Sequence, residues 1–454
     1  MTGRYSVPGV YSRARSRAAG FPRVRTDVVG IVGAAGPRHQ GEAKAVDDWK
    51  SYVATFREDE NGLPVPSTPG SALEPAVRDF FANGGRRLWI VNVPWTPGED
   101  DAGAFLNNLL GIGESLDPHG LELLLRQDEV SIVMLPDLDL VHEVEDDRYD
   151  EPPIPGRPCF GPCGERGLPA GTQEQNSVGF TRRDRVFSND EVIWAQRYLV
   201  SRLERERWRW FALLSPPPGT SAEDAVAWRE RLDAATGGSE HAALYWPWLL
   251  VQDSPGADVE VRSPLGAVAG IFAAVDLSEG PHVAPANRPI LGAVAPDIPI
   301  DDADNALVYD AGVNVLRDFP GRGIELWGAR TLRWRSRDDR GDVMAYVSPR
   351  RCLNAIARTA EFIGRPTVFD PNDAILRIRV HQIMTDYLLR VFASGALKGE
   401  VAEEGFFVGV EPVDQGAPGQ IVTRIGLALA APAEFIEVRI GRQDGVIESA
   451  EVAA

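Results

Sequence analysis

Short apolar runs recurring between amphipathic segments constrain this chain more than any other feature. Val28-Val29-Gly30-Ile31-Val32, Leu88-Trp89-Ile90-Val91-Asn92-Val93, Val130-Ser131-Ile132-Val133-Met134-Leu135 and Trp210-Phe211-Ala212-Leu213-Leu214-Ser215 all have strand length. Pro136 and Pro216-Pro217-Pro218 close two of them, and Gly33-Ala34-Ala35-Gly36 follows another. Runs apolar on both faces belong to buried strands. Helical patterns lie between them at Leu73 to Phe81, ended by Asn83-Gly84-Gly85, then at Leu121 to Leu125, Val192 to Trp208 and Ala222 to Ala235. The alternation predicts α/β layers around one sheet. Ala242 to Leu250 adds a further strand, whose Trp246 and Trp248 read as core.

The final third has a different grammar. Asp370-Pro371-Asn372-Asp373 predicts a helix start, with a cap, a proline at the first helical position and an acid in the first turn. Leu376, Val380, Ile383, Met384, Tyr387, Leu388 and Val391 then form one apolar face at helical spacing. Arg377, Arg379, Gln382, Asp386 and Arg390 take the other face, and Gly395 suits the left-handed stop. Near the end, Ile436, Val438 and Ile440 alternate with Glu437 and Arg439, the period of a half-buried strand. A terminal strand must pair within its domain, lie exposed as an edge or be given to another chain. The expected fold class is therefore α/β and α+β, multidomain.

With 454 residues, 44% of them hydrophobic, the chain can bury two to four real cores. A net charge of −19 argues against a broad nucleic-acid surface, so no nucleic acid is expected as a partner. Three cysteines make no disulfide framework and fit a reducing compartment. The N-terminus is polar and Arg-rich, unlike a secretory signal, and the run from Leu265 to Val275 is too short to span a bilayer, so direct membrane insertion is not expected.

Chemistry-bearing patterns are sparse. Gly30-Ile31-Val32-Gly33-Ala34-Ala35-Gly36 resembles a dinucleotide-binding turn, but its spacing is G-x-x-G-x-x-G and Pro37-Arg38-His39-Gln40-Gly41 replaces the helix that would receive phosphates. Asp137, Asp139, Glu143, Glu145, Asp146, Asp147, Asp150 and Glu151, followed by Pro152, Pro153 and Pro155, read as a solvated loop. Cys159 and Cys163 have a C-x3-C spacing without a second ligand pair, and no metal is expected. The histidines, His39, His119, His142, His241, His282 and His381, stand singly; only His282 has acids nearby, Asp276 and Glu279. Neither G-x-S-x-G, G-x-x-x-x-G-K-[ST] nor H-E-x-x-H occurs. No cofactor and no enzymatic activity are expected. Residues 1 to about 20 read as an extended arm with Tyr5, Val7, Pro8, Gly9, Val10 and Tyr11, followed by Arg13, Arg15 and Arg17.

Several motifs, taken in order, resemble one family, the contractile tail sheath proteins of phage tails and contractile injection systems. They are Pro8-Gly9-Val10-Tyr11, Phe80 to Arg87, Leu244 to Trp248, Ala284 to Asn287, Gly323 to Leu332, Phe369 to Asp373, Gly395 to Leu397, Glu403 to Val408 and Pro432 to Ile436. The resemblance implies a structural subunit that stacks as hexameric rings around an inner tube and contracts to drive the tube through a target envelope. It implies a sheath core built from both chain ends, residues 21–95 and 266–432, with an outer α/β domain inserted at 96–265 that carries an irregular acidic and Pro/Gly loop at about 140–185. Residues 1–20 become an exchanged arm and 433–454 a terminal strand and tail. Tyr5, Val7, Pro8, Gly9, Val10, Tyr11, Phe435, Ile436, Val438 and Ile440 are then the inter-subunit strand residues. Arg377, Arg379, Gln382, Asp386 and Arg390 mark a candidate tube-facing helix. The implied partners are further copies of the chain, the inner tube protein, and baseplate and terminal cap proteins, assembled in the bacterial cytoplasm as part of a phage tail or tail-like particle. Two features depart from the family pattern: the basic run after Tyr11, where relatives carry acids, and residues 140–185. The alternative from a different class is an α/β nucleotide-binding enzyme using the Gly30–Gly36 turn.

Overall fold

In the computed structural model, residues 24–95, 102–113, 117–146, 180–206, 208–254, 256–367, 369–371, 373–412, 421–434, 436–443 and 446–453 are described. The chain divides into a larger unit, residues 26–354 with 430–454, and a smaller one, residues 1–25 with 355–429.

The larger unit opens with β1 (Val29–Gly33), β2 (Ala43–Val46), α1 (Trp49–Tyr52), α2 (Leu73–Ala82) and β3 (Leu88–Asn92). α3 (Ala102–Leu110), α4 (Gly120–Leu125) and β4 (Ile132–Met134) follow, then β5 (Val141–Asp146) and β6 (Phe180–Arg185), which pair antiparallel as a separate ribbon. Next come α5 (Asn189–Arg205), β7 (Phe211–Leu214), α6 (Ala222–Thr236), β8 (Ala242–Trp246), β9 (Leu249–Val251), β10 (Glu260–Arg262) and α7 (Leu265–Ser278). β11 (Arg288–Pro289), β12 (Ala293–Pro296), α8 (Asp302–Asp310), β13 (Asn314–Phe319) and β14 (Gly323–Trp327) lead into α9 (Val347–Gly364), along which the chain passes into the smaller unit.

Nine strands share one sheet, in the order β11-β14-β13-β8-β7-β4-β1-β3-β2. The six from β13 to β3 run parallel, and β2, β14 and β11 are antiparallel additions at the margins. Strands from segments 21–95, 96–265 and beyond 265 thus lie side by side in this sheet. Side-chain alternation divides the core between its two faces. Ile31, Ile90, Met134, Leu213 and Tyr245 pack with α2 and α7, while Val32, Val91, Val133, Ala212 and Leu244 pack with α3, α4, α5 and α6. The apolar run from Leu265 is therefore a buried helix. Gly266 and Gly270 lie on its α2 side, where an added Cβ would come within 2.5 Å of the Ala76 and Phe80 carbonyl oxygens, so the glycines permit the close crossing. Trp246 and Trp248 are buried, as expected. Among the described residues, no helix is long and apolar enough to cross a membrane.

The smaller unit contains α10 (Ala374–Ala393), α11 (Ala402–Gly405) and the antiparallel pair β15 (Phe406–Pro412) and β16 (Ile421–Leu427). The expected apolar face of α10 is inward: Leu376, Val380 and Met384 are buried against Ile363, Val408, Val410, Ile421 and Ile425. The cap differs from expectation. Asp373, not Asp370, accepts from the Leu376 amide at 2.8 Å, and Pro371 lies before the helix instead of at its first position. Ser394 ends α10, and Gly395 takes the left-handed φ of +81°.

The expected terminal strand is present and has a partner that the sequence reading did not name. Ile436, Val438 and Ile440 lie in β17 (Ile436–Gln443), and β17 pairs with β18 (Val446–Ala453) of its own chain, register Ile436↔Ala453 to Gln443↔Val446.

Candidate functional site

Open α/β sheets usually hold ligands at the carboxyl ends of the strands, where strand order reverses. Here that point is β1, flanked by β3 and β4. A protein carboxylate fills it. Asp137, in the turn after β4, accepts the Ala34 amide at 2.6 Å, the Ala72 amide at 2.7 Å, the Leu73 amide at 3.1 Å and the Ser71 hydroxyl at 2.9 Å. It therefore satisfies the loop leaving β1 and the first turn of α2 together, the places where a phosphate would bind. Burial pushes its carboxyl up to about 6, against those donors. Gly33 is required beneath it, because an added Cβ would lie 2.6 Å from Asp137 Oδ2. After Gly36 the chain turns and enters β2, with no helix to receive a nucleotide.

The expected solvated acidic loop is corrected at its start. Asp137 and Asp139 are buried, because one caps backbone amides and the other faces Arg185 of β6 at 3.5 Å. Burial pushes the Asp139 carboxyl up to about 7, with Arg185 opposing. Residues 147–179, with Cys159 and Cys163, lie outside the described residues. Among the described residues no group of acids, histidines and cysteines could hold a metal ion.

A cleft of about 540 Å³ opens beside the end of β3, lined in part by Asn92, Asn108, Asp117 and His119. Its polar groups serve the fold: Asn92 bonds Ala35, Gly36 and Arg38 backbone atoms, and His119 Nδ1 lies 3.2 Å from the Asp117 carbonyl. The His282 grouping also dissolves, since Asp276 pairs with Arg351 and Glu279 with Arg288.

What remains is an arrangement that holds the chain where it leaves and re-enters the larger unit. Where the chain leaves the larger unit, Arg351 donates to both oxygens of buried Asp276, at 2.8 and 2.5 Å, and to the Thr26 carbonyl at 2.9 Å. Arg350 donates to Glu240 at 2.5 Å and Asn354 to the Trp210 carbonyl at 3.3 Å. Where the chain returns, Ala431 packs against Trp334, Ala345 and Tyr346, and Glu434 meets Arg330. Arg330 is 0% exposed and forks onto Glu434, with Nε to Oε1 at 3.1 Å and Nη2 to Oε2 at 2.5 Å. Two motifs read separately in the sequence, Gly323 to Leu332 and Pro432 to Ile436, thus meet through one ion pair.

The expected strand residues fall in two places. Tyr5, Val7, Pro8, Gly9, Val10, Tyr11 and Phe435 lie outside the described residues. Ile436, Val438 and Ile440 sit in a two-stranded ladder, so among the described residues β17 and β18 pair only with each other in that sheet. On α10, Arg379, Gln382, Asp386 and Arg390 are exposed, while Arg377 is half-buried on the flank. Sequence reasoning missed three neighbours on the exposed face: Ile375 at 67%, Ile378 at 58% and Leu389 at 41% exposure. Their spacing with Gln382 and Asp386 forms one narrow stripe.

Comparison with known proteins adds the following. Residues 195–332, from α5 through β14 to Leu332, match the profile of the phage tail sheath protein central domain. The helical sheath of the anti-feeding prophage in its contracted state is 23% identical with a TM-score of 0.64, over 97% of this chain and 100% of that one. A chain of the anti-feeding prophage baseplate in contracted state is 20% identical with a TM-score of 0.66, over 96% and 99%. The PVC extracellular contractile injection system sheath complex, also contracted, gives 21% and 0.63, over 98% and 99%. No curated protein matches this chain by sequence.

Proposed function

We propose, from the premise that this chain belongs to the contractile tail sheath family, that it is a structural subunit polymerising as stacked hexameric rings around an inner tube and shortening to drive that tube through an envelope. The observation that carries the reading is the matched central domain at 195–332, set within a fold shared along nearly the whole length of contracted sheath chains. The terminal elements supply the chemistry of assembly. A two-stranded ribbon is marginal alone and offers unpaired backbone groups at its edges, so β17–β18 is suited to adding onto a neighbour's sheet. β15–β16 is likewise a two-stranded pair, with Phe407 exposed, and is suited to receive strands. The arm residues Tyr5 to Tyr11 are the second donated segment.

On this reading the stripe Ile375, Ile378, Gln382, Asp386 and Leu389, flanked by Arg379 and Arg390, faces the inner tube. The strands of 96–265 share the central sheet with those of 21–95, so these segments act as one body within the subunit. The subunit is assembled in the cytoplasm with baseplate and terminal cap proteins, and shortening draws on a metastable lattice, not on a catalytic site. The nucleotide-binding alternative loses its anion position to Asp137.

Truncation tests strand exchange. Chains lacking residues 1–18, or lacking 436–454 with Glu434 retained, are expected to remain folded by circular dichroism yet elute as monomers. Tubes like those of the intact chain, formed by either truncation, contradict this reading.

A further inference from the structure

Glu434 joins features that the fold alone does not require. Its partner Arg330 is held on every side: the guanidinium lies 3.6 Å from the Tyr309 ring centroid and 3.5 Å from that of Trp334, and Nη1 donates to the Tyr309 carbonyl at 2.6 Å. The Tyr309 hydroxyl donates to the same Glu434 carboxylate. A planar guanidinium stacked on aromatic faces and forked onto a carboxylate has little freedom left. One residue, Phe435, separates Glu434 from Ile436, the first paired residue of β17.

We propose that Arg330 and Glu434 are positioning residues for strand exchange, clamping the chain one residue ahead of the donated hairpin. The inference rests on the reading that β17–β18 is given to a neighbouring copy. With one residue between them, Glu434 and Ile436 lie at most about 7 Å apart along the chain, so the hairpin leaves the body from a defined point and any rotation of the body is transmitted to the neighbour. With the clamp open the free chain starts several residues earlier, each adding about 3.5 Å, and the link becomes slack. The clamp also specifies its own partner, because a buried arginine without its carboxylate is strongly disfavoured.

Two variants separate positioning from simple stabilisation. Inserting Gly-Ser between Glu434 and Phe435 leaves the ion pair intact and lengthens the leash by about 7 Å. The double variant Arg330→Met with Glu434→Met removes the fork while keeping apolar bulk, an exchange that buried pairs commonly tolerate. The insertion variant is expected to keep the melting profile of the intact chain, and both variants to raise the concentration needed for cylinder formation at least tenfold or abolish regular striations in electron micrographs. Normal striated cylinders from the insertion variant at the usual concentration overturn the proposal, whatever the double variant does. The intact chain and the chain lacking 436–454 are run in parallel. Cylinders from both mean that the hairpin reading has failed, and absence of cylinders from the intact chain, alone and with an inner-tube protein, means that the sheath reading has failed; the clamp falls with either.

Discussion

Asp137 shows how one side chain can close a site. It stands at the reversal of strand order and accepts from three backbone amides and a hydroxyl. Replacing it by alanine leaves buried donors without partners, each worth about 1–3 kcal/mol. Asp137→Ala is expected to lower the unfolding free energy by at least about 3 kcal/mol in urea titration. Asp139 makes a pH prediction. Its folded carboxyl is raised to about 7, above the ordinary aspartate value of about 4, so between those values the folded state holds a proton that the unfolded state has lost. Its contribution to stability is full below about pH 4 and is lost as pH rises through about 7. Asp139→Asn should flatten this part of the stability profile, as read by denaturant midpoints at pH 5, 6 and 8. Neither aspartate's role was legible in the sequence. Both lie in a run of acids and prolines that reads as solvent-facing, and Asp137 depends on donors 64 to 103 positions away. The glycines were more informative: Gly33 and Gly36 mark the exit from β1, although only the structure shows that Gly33 makes room for a carboxylate.

Among the elements, periodicity was a reliable guide wherever one face alone is buried. The apolar positions of α10 were readable because they repeat at helical spacing and meet β15–β16 as a group. Leu388 is fully buried on that helix, and Leu388→Ala should cost about 2–5 kcal/mol, measured as loss of amide protection in residues 374–427 by hydrogen exchange. The opposite face was read only by its charges, so Ile375, Ile378 and Leu389 went unnoticed among them. The terminal hairpin was half legible. Alternation announced β17, whereas β18, Val446-Ile447-Glu448-Ser449-Ala450-Glu451-Val452-Ala453, has no clean alternation and its pairing was not legible. The cap of α10 was misplaced by three residues because Asp370 and Asp373 are equally good capping types, and only the backbone decides which one meets the helix.

At the scale of the whole molecule, the chain leaves its larger unit along α9 and returns at residue 430. Buried arginine–carboxylate pairs, Arg351 with Asp276 and Arg330 with Glu434, secure both crossings on the larger unit's side. Such pairings are invisible to pattern reading, since nothing local to Arg330 marks an acid 104 positions later as its partner. The α/β class, by contrast, was legible from the apolar runs, and the family resemblance from short motifs spread along the chain. Whether the chain polymerises, as proposed, is read by electron microscopy of the purified chain, alone and with the proposed inner-tube protein. Hollow, striated cylinders are the expected result; dispersed particles in both samples would rule out a polymerising subunit.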